Sequence, residues 1–218
     1  MSLQLKIDEL VSDHDALADS RTATLGEAIA KLIAEEERAR PLKVGDEAPR
    51  FRLQAYDDTF VALDDHLESA PLVVTFYRGL WCPYCQADLQ AFIKLIEEAN
   101  DLAPCVLAIS RPRAPGTDRP TDHALGLNFP VLEDASGELA VQYGIRWPAE
   151  DARTIEHALG LDLLSFRGTE PWINPMQARF VIDRNCQIAF AEIAFSYEER
   201  SEPTNLLPLL AQLRGKDD

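Results

Sequence analysis

Hydrophobic residues recur at helical spacing in the first 40 residues of the chain, in two consecutive segments. The second segment opens with Thr24 and Glu27, which have the spacing of a capping box, and Pro41 follows its end. The apolar faces are formed by Leu3, Ile7, Leu10 and Val11 in the first segment and by Leu25, Ile29, Leu32 and Ile33 in the second. We therefore predict a helical extension over residues 1–40 that packs on the rest of the chain or on a second subunit.

After this extension, the pattern changes to short apolar runs that alternate with amphipathic segments. Residues 71–77 and 103–110 are nearly continuous apolar runs, as in strands that are buried on both faces. Between them, Leu89, Phe92 and Ile96 mark one face of a helix. These three elements predict one βαβ unit with a pair of parallel strands.

The remaining apolar runs predict further elements around this unit. Strands are expected near 51–53, 60–63 and 129–134, and in a hairpin over 178–193 that turns around Arg184, Asn185 and Cys186. Helices are expected over 136–144, 148–160 and 202–213, and a Pro-rich loop over 111–121. The order of the elements predicts an α/β domain over residues 41–215.

Composition narrows the class of protein. The chain of 218 residues carries 21 Lys and Arg against 37 Asp and Glu, a formal net charge of −16. Such an acidic surface repels phosphate backbones, so nucleic acid is not an expected partner. The N-terminus lacks the basic start and apolar stretch of a secretory signal, and no apolar run is long enough to span a bilayer. We therefore expect a cytoplasmic protein with no membrane partner, in which thiols stay reduced.

The stretch FYRGLWCPYC, residues 76–85, puts Cys82 and Cys85 directly after a predicted buried strand. Cys82 falls at the first turn of the following helix, and Pro83 stands where proline is well tolerated. Free N–H groups and the helix dipole favour a negative sulfur there, so we expect a lowered pKa at Cys82 and interpret it as the nucleophile. Cys85 lies one helical turn later, near enough to close a disulfide. A CxxC motif at this point of a βαβ unit indicates redox chemistry.

A zinc site is the main alternative for the cysteine pair. It would need a second pair of ligands at short spacing, and neither Cys105 nor Cys186 has a cysteine or histidine near it in the sequence. We interpret Cys105 as a small core residue and Cys186 as an inert turn residue. His14 and His66 lie among acidic residues and are expected to be solvated. No histidine lies close to Cys82 in sequence, so a Cys–His hydrolase is not supported.

Taken with GDEAPRFRL (45–53) and NPMQARFVIDRNCQIAFAEI (174–193), the cysteine stretch resembles the alkyl hydroperoxide reductase/thiol-specific antioxidant family, and more closely its peroxiredoxin-like branch. The resemblance implies a thioredoxin-like three-layer fold with a central mixed sheet flanked by helices. It also implies antioxidant or thiol–disulfide activity without a bound cofactor or metal. Carried over to this chain, Cys82 is the peroxidatic thiol and Cys85 the resolving one.

Two positions depart from the pattern of that family. Typical peroxiredoxins have Thr three residues before the reactive cysteine and Pro seven before it, where this chain has Gly79 and Thr75. Gln177 stands where thioredoxin-like proteins usually carry a cis-proline, so we expect either a trans peptide at Gln177 or that Pro175 has taken over the role. The side chains expected to support the site are Arg78, Trp81, Pro83, Tyr84, Gln177 and Arg179. Arg78 and Arg179 are candidate cations beside the sulfur, and the alternatives are an exposed strand-end position for Arg78 and a structural role for Arg179.

These features leave three functions open. The first is a thiol peroxidase that reduces hydroperoxides through Cys82 and Cys85 and is itself reduced by an external thiol, thioredoxin-like or glutathione-like. The second is a thiol–disulfide oxidoreductase that acts on protein or low-molecular-weight disulfides. The third is a non-enzymatic redox-sensing or metal-binding module with a thioredoxin fold. The helical extension is compatible with a homodimer.

Overall fold

The computed structural model describes residues 2–15, 40–67, 71–80, 82–102, 104–111, 125–147, 174–194 and 200–215. Three sequence predictions lie outside these ranges, namely the second helix of the extension, the helix over 148–160 and most of the loop over 111–121. Trp81 also lies outside them. Among the described residues, no helix is both long enough and apolar enough to cross a lipid bilayer.

A mixed seven-stranded sheet forms the centre of the structure. Its strands are β1 (Arg52–Ala55), β2 (Phe60–Ala62), β3 (Leu72–Phe76), β4 (Cys105–Ser110), β5 (Val131–Glu133), β8 (Gln177–Ile182) and β9 (Ile188–Ala194), while β6 (Arg146–Trp147) and β7 (Asn174–Pro175) form a separate ribbon. The order across the sheet is β2-β1-β5-β4-β3-β8-β9. Strands β3, β4 and β5 are parallel and the other pairs antiparallel. The predicted βαβ unit and the α/β class are confirmed.

Helices pack on this sheet. The described helices are α1 (Leu3–Asp15), α2 (Asp64–Leu67), α3 (Pro83–Ala99), α4 (Glu138–Gln142) and α5 (Leu207–Arg214), with 3-10 turns at Asn100–Leu102 and Pro203–Leu206. Helix α3 buries Leu89, Phe92 and Leu95, as its amphipathic pattern predicts. On the other face of the sheet, Tyr143 packs against Phe76 with ring centroids 4.9 Å apart. The predicted arrangement of helix, sheet and helix is therefore present.

The first helix of the predicted extension is confirmed, and it lies on α3. Leu3 and Ile7 are buried, which accounts for the apolar face seen in the sequence. Lys6 Nζ donates a hydrogen bond to Gln90 Oε1 of α3 at 3.0 Å. The N–H of Leu3 donates to the carboxylate of Glu202, just before the last 3-10 turn. Helix α1 therefore contacts both α3 and the C-terminal segment.

The pairing of β3 with β8 brings distant parts of the chain together. The strands run antiparallel with Phe76 opposite Ala178, so Gln177, the first residue of β8, lies beside the end of β3. Successive side chains of a strand point to opposite faces. Gln177 and Arg179 therefore share one face, and Arg179 lies over the ring of Phe92 of α3 at 5.3 Å.

The predicted hairpin between β8 and β9 turns at Cys186, which has a φ of 62°. Its N–H donates to the carbonyl of Asp183 at 3.0 Å and its sulfur to the carbonyl of Ala48 at 3.3 Å. These hydrogen bonds stabilise Cys186 in the left-handed backbone conformation, which residues other than glycine rarely adopt. The sequence interpretation of Cys186 as a turn residue is confirmed.

Candidate active site

The cysteine pair lies at the start of α3, as the sequence predicts. Cys82 is the N-cap residue, with φ −88° and ψ 113°, and Pro83 occupies the first turn. Both Cys82 and Cys85 are reduced and buried. Their sulfurs share a hydrogen bond. The arrangement holds two thiols together at the N-terminal end of a helix, at the edge where β3 ends.

Gln177 contacts the second cysteine. Because β8 runs antiparallel to β3, its first side chain reaches the first turn of α3. The Gln177 Oε1 lies 3.7 Å from Cys85 Sγ. No cis peptide bond occurs among the described residues, so the expected trans peptide at Gln177 is confirmed.

A buried polar network extends from Gln177. Its Nε2 donates to Asp88 Oδ2 at 2.6 Å, and the other oxygen of Asp88 accepts from the guanidinium of Arg179. Arg179 Nη1 in turn contacts Glu192 Oε2 at 3.1 Å and donates to the Ser201 Oγ at 3.1 Å. Asp88 is fully buried and Arg179 is 2% exposed, so this ion pair is withdrawn from water.

Arg179 takes the structural role that was one of its two alternatives in the sequence. It was also a candidate cation beside the sulfur, but its guanidinium is bound to Asp88, Glu192 and Ser201. It reaches Cys85 through the Asp88 and Gln177 side chains. The physical reason is the fully buried carboxylate of Asp88, which requires a buried counterion.

Two other arginines supply the positive charge at the sulfurs. Arg78, at the end of β3, is buried, whereas an exposed strand-end arginine was the alternative from the sequence. Arg200, in the C-terminal segment, is also buried and donates from Nη1 to the carbonyl of Tyr84 at 2.8 Å. The charges of both arginines favour the thiolate form of Cys82 and Cys85.

The two thiols have opposite pKa shifts. Burial raises the pKa of Cys85, but the hydrogen bond from Cys82, the charges of Arg78 and Arg200 and the backbone N–H of Arg78 together lower it to about 5. Burial raises the pKa of Cys82 well above its usual value, and the hydrogen bond with Cys85 adds to this effect. The pair therefore holds one thiolate and one shared proton near neutral pH.

This distribution differs from the sequence expectation, which assigned the lowered pKa to Cys82. The backbone N–H of Arg78 bonds Cys85, and the Cys82 side chain makes no capping hydrogen bond to the helix. A helix N-terminus alone therefore does not decide which sulfur loses its proton. The proton lies between the two sulfurs, and the groups around them determine its position.

Gly79 has a backbone conformation that explains why the threonine of typical peroxiredoxins is absent. Its φ is 144°, a region open to glycine and strained for a β-branched residue. The hydroxyl of Thr75 is buried and makes no hydrogen bond within the described parts of the chain. Position 79 is therefore a glycine, and the loop has no hydroxyl at that position to orient a substrate.

Cys105 has a neighbour that the sequence did not predict. His66 Nδ1 lies 3.3 Å from Cys105 Sγ, so His66 is not the freely solvated residue that we expected. Burial raises the pKa of Cys105 to about 11. Within the described ranges, no group of three or more His, Cys, Asp and Glu side chains is arranged to hold a metal ion.

Sequence reasoning missed Asp88, Arg200 and Ser201. A signal for Asp88 was present, because Cys85, Asp88 and Phe92 follow helical spacing and an acidic residue on an apolar face requires a buried partner. Arg200 and Ser201 gave no such signal, since only the tertiary fold brings the C-terminal segment to the start of α3.

The geometry defines an α/β protein with a buried thiol pair at the N-terminus of a helix, and comparison with known proteins agrees with the fold. A sequence profile of the AhpC/TSA family matches residues 44–191, so the chain belongs to the AhpC/TSA family. Peroxiredoxin Bcp of Escherichia coli (strain K12) is 30% identical over 105 residues, which are 48% of this chain and 66% of that protein. The match thus spans just under two thirds of this relative.

Solved structures share the fold. Peroxidoxin BcpB from Mycobacterium tuberculosis aligns with a TM-score of 0.58 at 23% identity, over 80% of this chain and 97% of that one. A peroxiredoxin-like protein from Aquifex aeolicus aligns with a TM-score of 0.58 at 17% identity, over 80% of this chain and 89% of that one. The predicted thioredoxin-like fold of the peroxiredoxin type is confirmed.

Proposed function

We propose that this protein is a thiol-dependent peroxidase in which Cys82 attacks a hydroperoxide and Cys85 resolves the product. The observation that carries the proposal is the hydrogen-bonded pair of buried thiols beside Arg78 and Arg200. Membership of the AhpC/TSA family supports it. We assign the attack to Cys82 because it precedes the helix whereas Cys85 lies within its first turn, and the proton shared by the pair lets either sulfur carry the thiolate.

The reaction is balanced in two steps. The Cys82 thiolate attacks the terminal oxygen of the hydroperoxide, the O–O bond breaks, and the departing alkoxide takes a proton to form an alcohol or water. Cys82 is then a sulfenic acid. The Cys85 sulfur attacks the Cys82 sulfur, a disulfide forms, and the sulfenic oxygen leaves as water. An external dithiol or two monothiols reduce the disulfide and are themselves oxidised to a disulfide.

Arg200 is suited to stabilise charge in the first step. Its Nε and Nη2 atoms are buried and have no hydrogen-bond partner in the described part of the chain, while Nη1 is held by the carbonyl of Tyr84. Leaving a buried N–H group without a hydrogen-bond partner lowers the stability of the fold. The negative charge that develops on the departing oxygen gives these donors a partner, and the fixed positive charge stabilises it.

The test is single-turnover oxidation of the reduced protein by hydrogen peroxide, followed by Trp fluorescence and by mass spectrometry of the cysteine peptides. We expect wild type to form the Cys82–Cys85 disulfide, Cys85→Ser to stop at the Cys82 sulfenic acid after one turnover, and Cys82→Ser to consume no peroxide above the rate of a free thiol. Cys105→Ser is the matched control and retains full activity. Undiminished peroxide consumption by Cys82→Ser would rule out the proposal.

A second candidate is thiol–disulfide exchange at the same pair. The glycine at position 79 favours it, because the loop has no threonine hydroxyl there to orient a peroxide. In that reaction the attacking sulfur forms a mixed disulfide with the substrate and the second sulfur releases it. Reduction of insulin disulfides distinguishes the two functions, since a peroxidase without this activity leaves insulin intact.

The compartment, the external reductant and the assembly state belong to the same proposal. We propose a cytoplasmic setting, in which external thiols are available to return the disulfide to two thiols. The external reductant is a thioredoxin-like or glutathione-like thiol. We also propose residues 1–40 as a helical extension of a domain over 41–215, with a homodimer as the assembly to test by sedimentation of the reduced and oxidised protein.

A further inference from the structure

The orientation of one side-chain amide bears on the shared proton of the thiol pair. Gln177 has a carbonyl oxygen and an NH₂ group, and turning the amide over would exchange them. The Nε2 atom donates to Asp88 Oδ2 at 2.6 Å, so a buried carboxylate holds the amide in one orientation. The carbonyl oxygen is therefore the group that points at Cys85, with Oε1 3.7 Å from Sγ.

Asp88 is in turn fixed. Its second oxygen is bound by the guanidinium of Arg179, which also contacts Glu192 and Ser201. Asp88 remains an acceptor as long as this ion pair stands, and a carboxylate has no N–H group to offer to Gln177. Turning the Gln177 amide over would place its carbonyl oxygen against the Asp88 carboxylate, so the observed orientation is favoured.

A carbonyl oxygen distinguishes between the two forms of Cys85. The thiol donates its S–H to the oxygen, whereas a thiolate faces the negative end of the C=O dipole. The other groups at Cys85 favour the thiolate instead. The ionisable or charged side chains around it, taken from every described element that packs there, are Arg78 before α3, Cys82 at its N-cap, Asp88 within it, Arg179 of β8, Glu192 of β9 and Arg200 of the C-terminal segment.

We propose that Asp88 and Gln177 are positioning residues that oppose the thiolate on Cys85 and so increase the share of molecules in which the proton lies on Cys85 and the thiolate on Cys82. Arg78 and Arg200 supply positive charge to both sulfurs, so they favour one thiolate in the pair without assigning it to either. The Gln177 carbonyl contacts Cys85. This inference rests on the proposed function, because the attack assigned to Cys82 requires its thiolate form.

The test measures the proton on each thiol separately, without peroxide. In the Cys82→Ser protein, the pH dependence of Cys85 alkylation by iodoacetamide, followed peptide by peptide by mass spectrometry, gives the pKa of Cys85. Adding Gln177→Met removes the acceptor at nearly constant volume. We expect the pKa of Cys85 to fall by about one unit, which is about ten times more thiolate at low pH. Gln90→Met, on the outer side of α3 against Lys6, is the matched control and leaves it unchanged.

Asp88→Asn probes the orientation itself. The new amide can donate to Gln177 Oε1, so Gln177 turns over and presents an N–H to Cys85. The pKa of Cys85 then falls at least as far as in Gln177→Met. Loss of the partner of Arg179 endangers folding, so circular dichroism accompanies this variant, and Gln177→Met alone decides the matter if Asp88→Asn does not fold.

The companion measurement uses Cys85→Ser, in which Cys82 is alkylated. Gln177→Met is expected to leave the pKa of Cys82 unchanged there. An unchanged pKa of Cys85 overturns the inference, because the Gln177 carbonyl would then have no effect on that thiol. An equal pKa shift at both cysteines also overturns it, because it would indicate a general loosening of the packing around the pair. Peroxide consumption by Cys82→Ser would instead overturn the proposed function, and these titrations do not depend on it.

Discussion

Cys85 and Cys105 belong to the same βαβ unit, at opposite ends of its parallel strands. Cys105 begins β4, whereas Cys85 lies in the first turn of α3, beyond the far end of β3. At Cys105, burial raises the pKa to about 11, although His66 lies 3.3 Å away. At Cys85, burial acts in the same direction, but a second thiol and two arginine charges outweigh it and lower the pKa to about 5.

The comparison of Cys105 with Cys85 separates the effect of burial on a thiol pKa from the effect of nearby charges and hydrogen-bond donors. Removal from water makes a thiol less acidic at both ends of the sheet. Among the residues that the structure describes, positive charge and N–H donors gather around the thiols at the end where β3 runs into α3, because Arg78 precedes the helix there and Arg200 returns from the C-terminal segment. The environment of the sulfur, rather than its depth, determines where thiol chemistry can occur.

The largest expected effect is on the ultraviolet absorption of thiolates. In the reduced protein we expect one thiolate to titrate near pH 5 and none from Cys105 below about pH 9, because the pKa values lie on opposite sides of the ordinary one. Cys85→Ser should remove the low step and Cys105→Ser should not. A lowered folded-state pKa stabilises the fold above the ordinary thiol pKa, and this contribution is lost as pH falls towards about 5. A single titration step near the ordinary thiol pKa would contradict the predicted difference between Cys85 and Cys105.

A smaller effect is expected from removing one arginine charge. Arg200→Met takes away a cation that favours both thiolates, so the oxidation of the reduced protein by hydrogen peroxide should slow by about tenfold or more. Stopped-flow Trp fluorescence measures the rate. Arg50→Met is the control, since Arg50 pairs with Asp64 on the exposed surface. Equal rates in both variants would show that Arg200 serves only to hold Tyr84.

The smallest effect is expected at the opposite end of the sheet. His66→Ala removes the neighbour of Cys105 at a half-buried site, and the free energy of unfolding should change by less than about 1 kcal/mol. Peroxide consumption should stay at the wild-type rate. Urea unfolding and a peroxide assay check the two expectations. A clear loss of activity would mean that the two ends of the βαβ unit are coupled.

Much of the fold follows from local pattern. The continuous apolar run before Cys82 predicted β3, and the spacing of Leu89 and Phe92 predicted α3, because burial on two faces or on one stripe leaves a readable period. Pro83 marked the first turn of that helix. The hairpin around Cys186 was readable for the same reason, since turn residues interrupt two apolar runs.

The composition of the site was only partly readable. The cysteine pair and Arg78 are contiguous in sequence, so the motif itself indicated them. Arg179 was a candidate both for a cation beside the sulfur and for a structural role, and its guanidinium is bound to Asp88. Asp88 was readable in hindsight as an acidic residue on the buried face of α3.

The sequence by itself determined that a thiol pair begins a helix after a buried strand, because that depends on neighbours along the chain. Which sulfur is acidic, and which charges face it, was decided by the tertiary structure. Antiparallel pairing brings Gln177 to Cys85, and the C-terminal segment brings Arg200 to Tyr84. Electrostatic effects act through space at a few ångströms, so residues far apart in sequence set the pKa of a thiol once folding has made them neighbours.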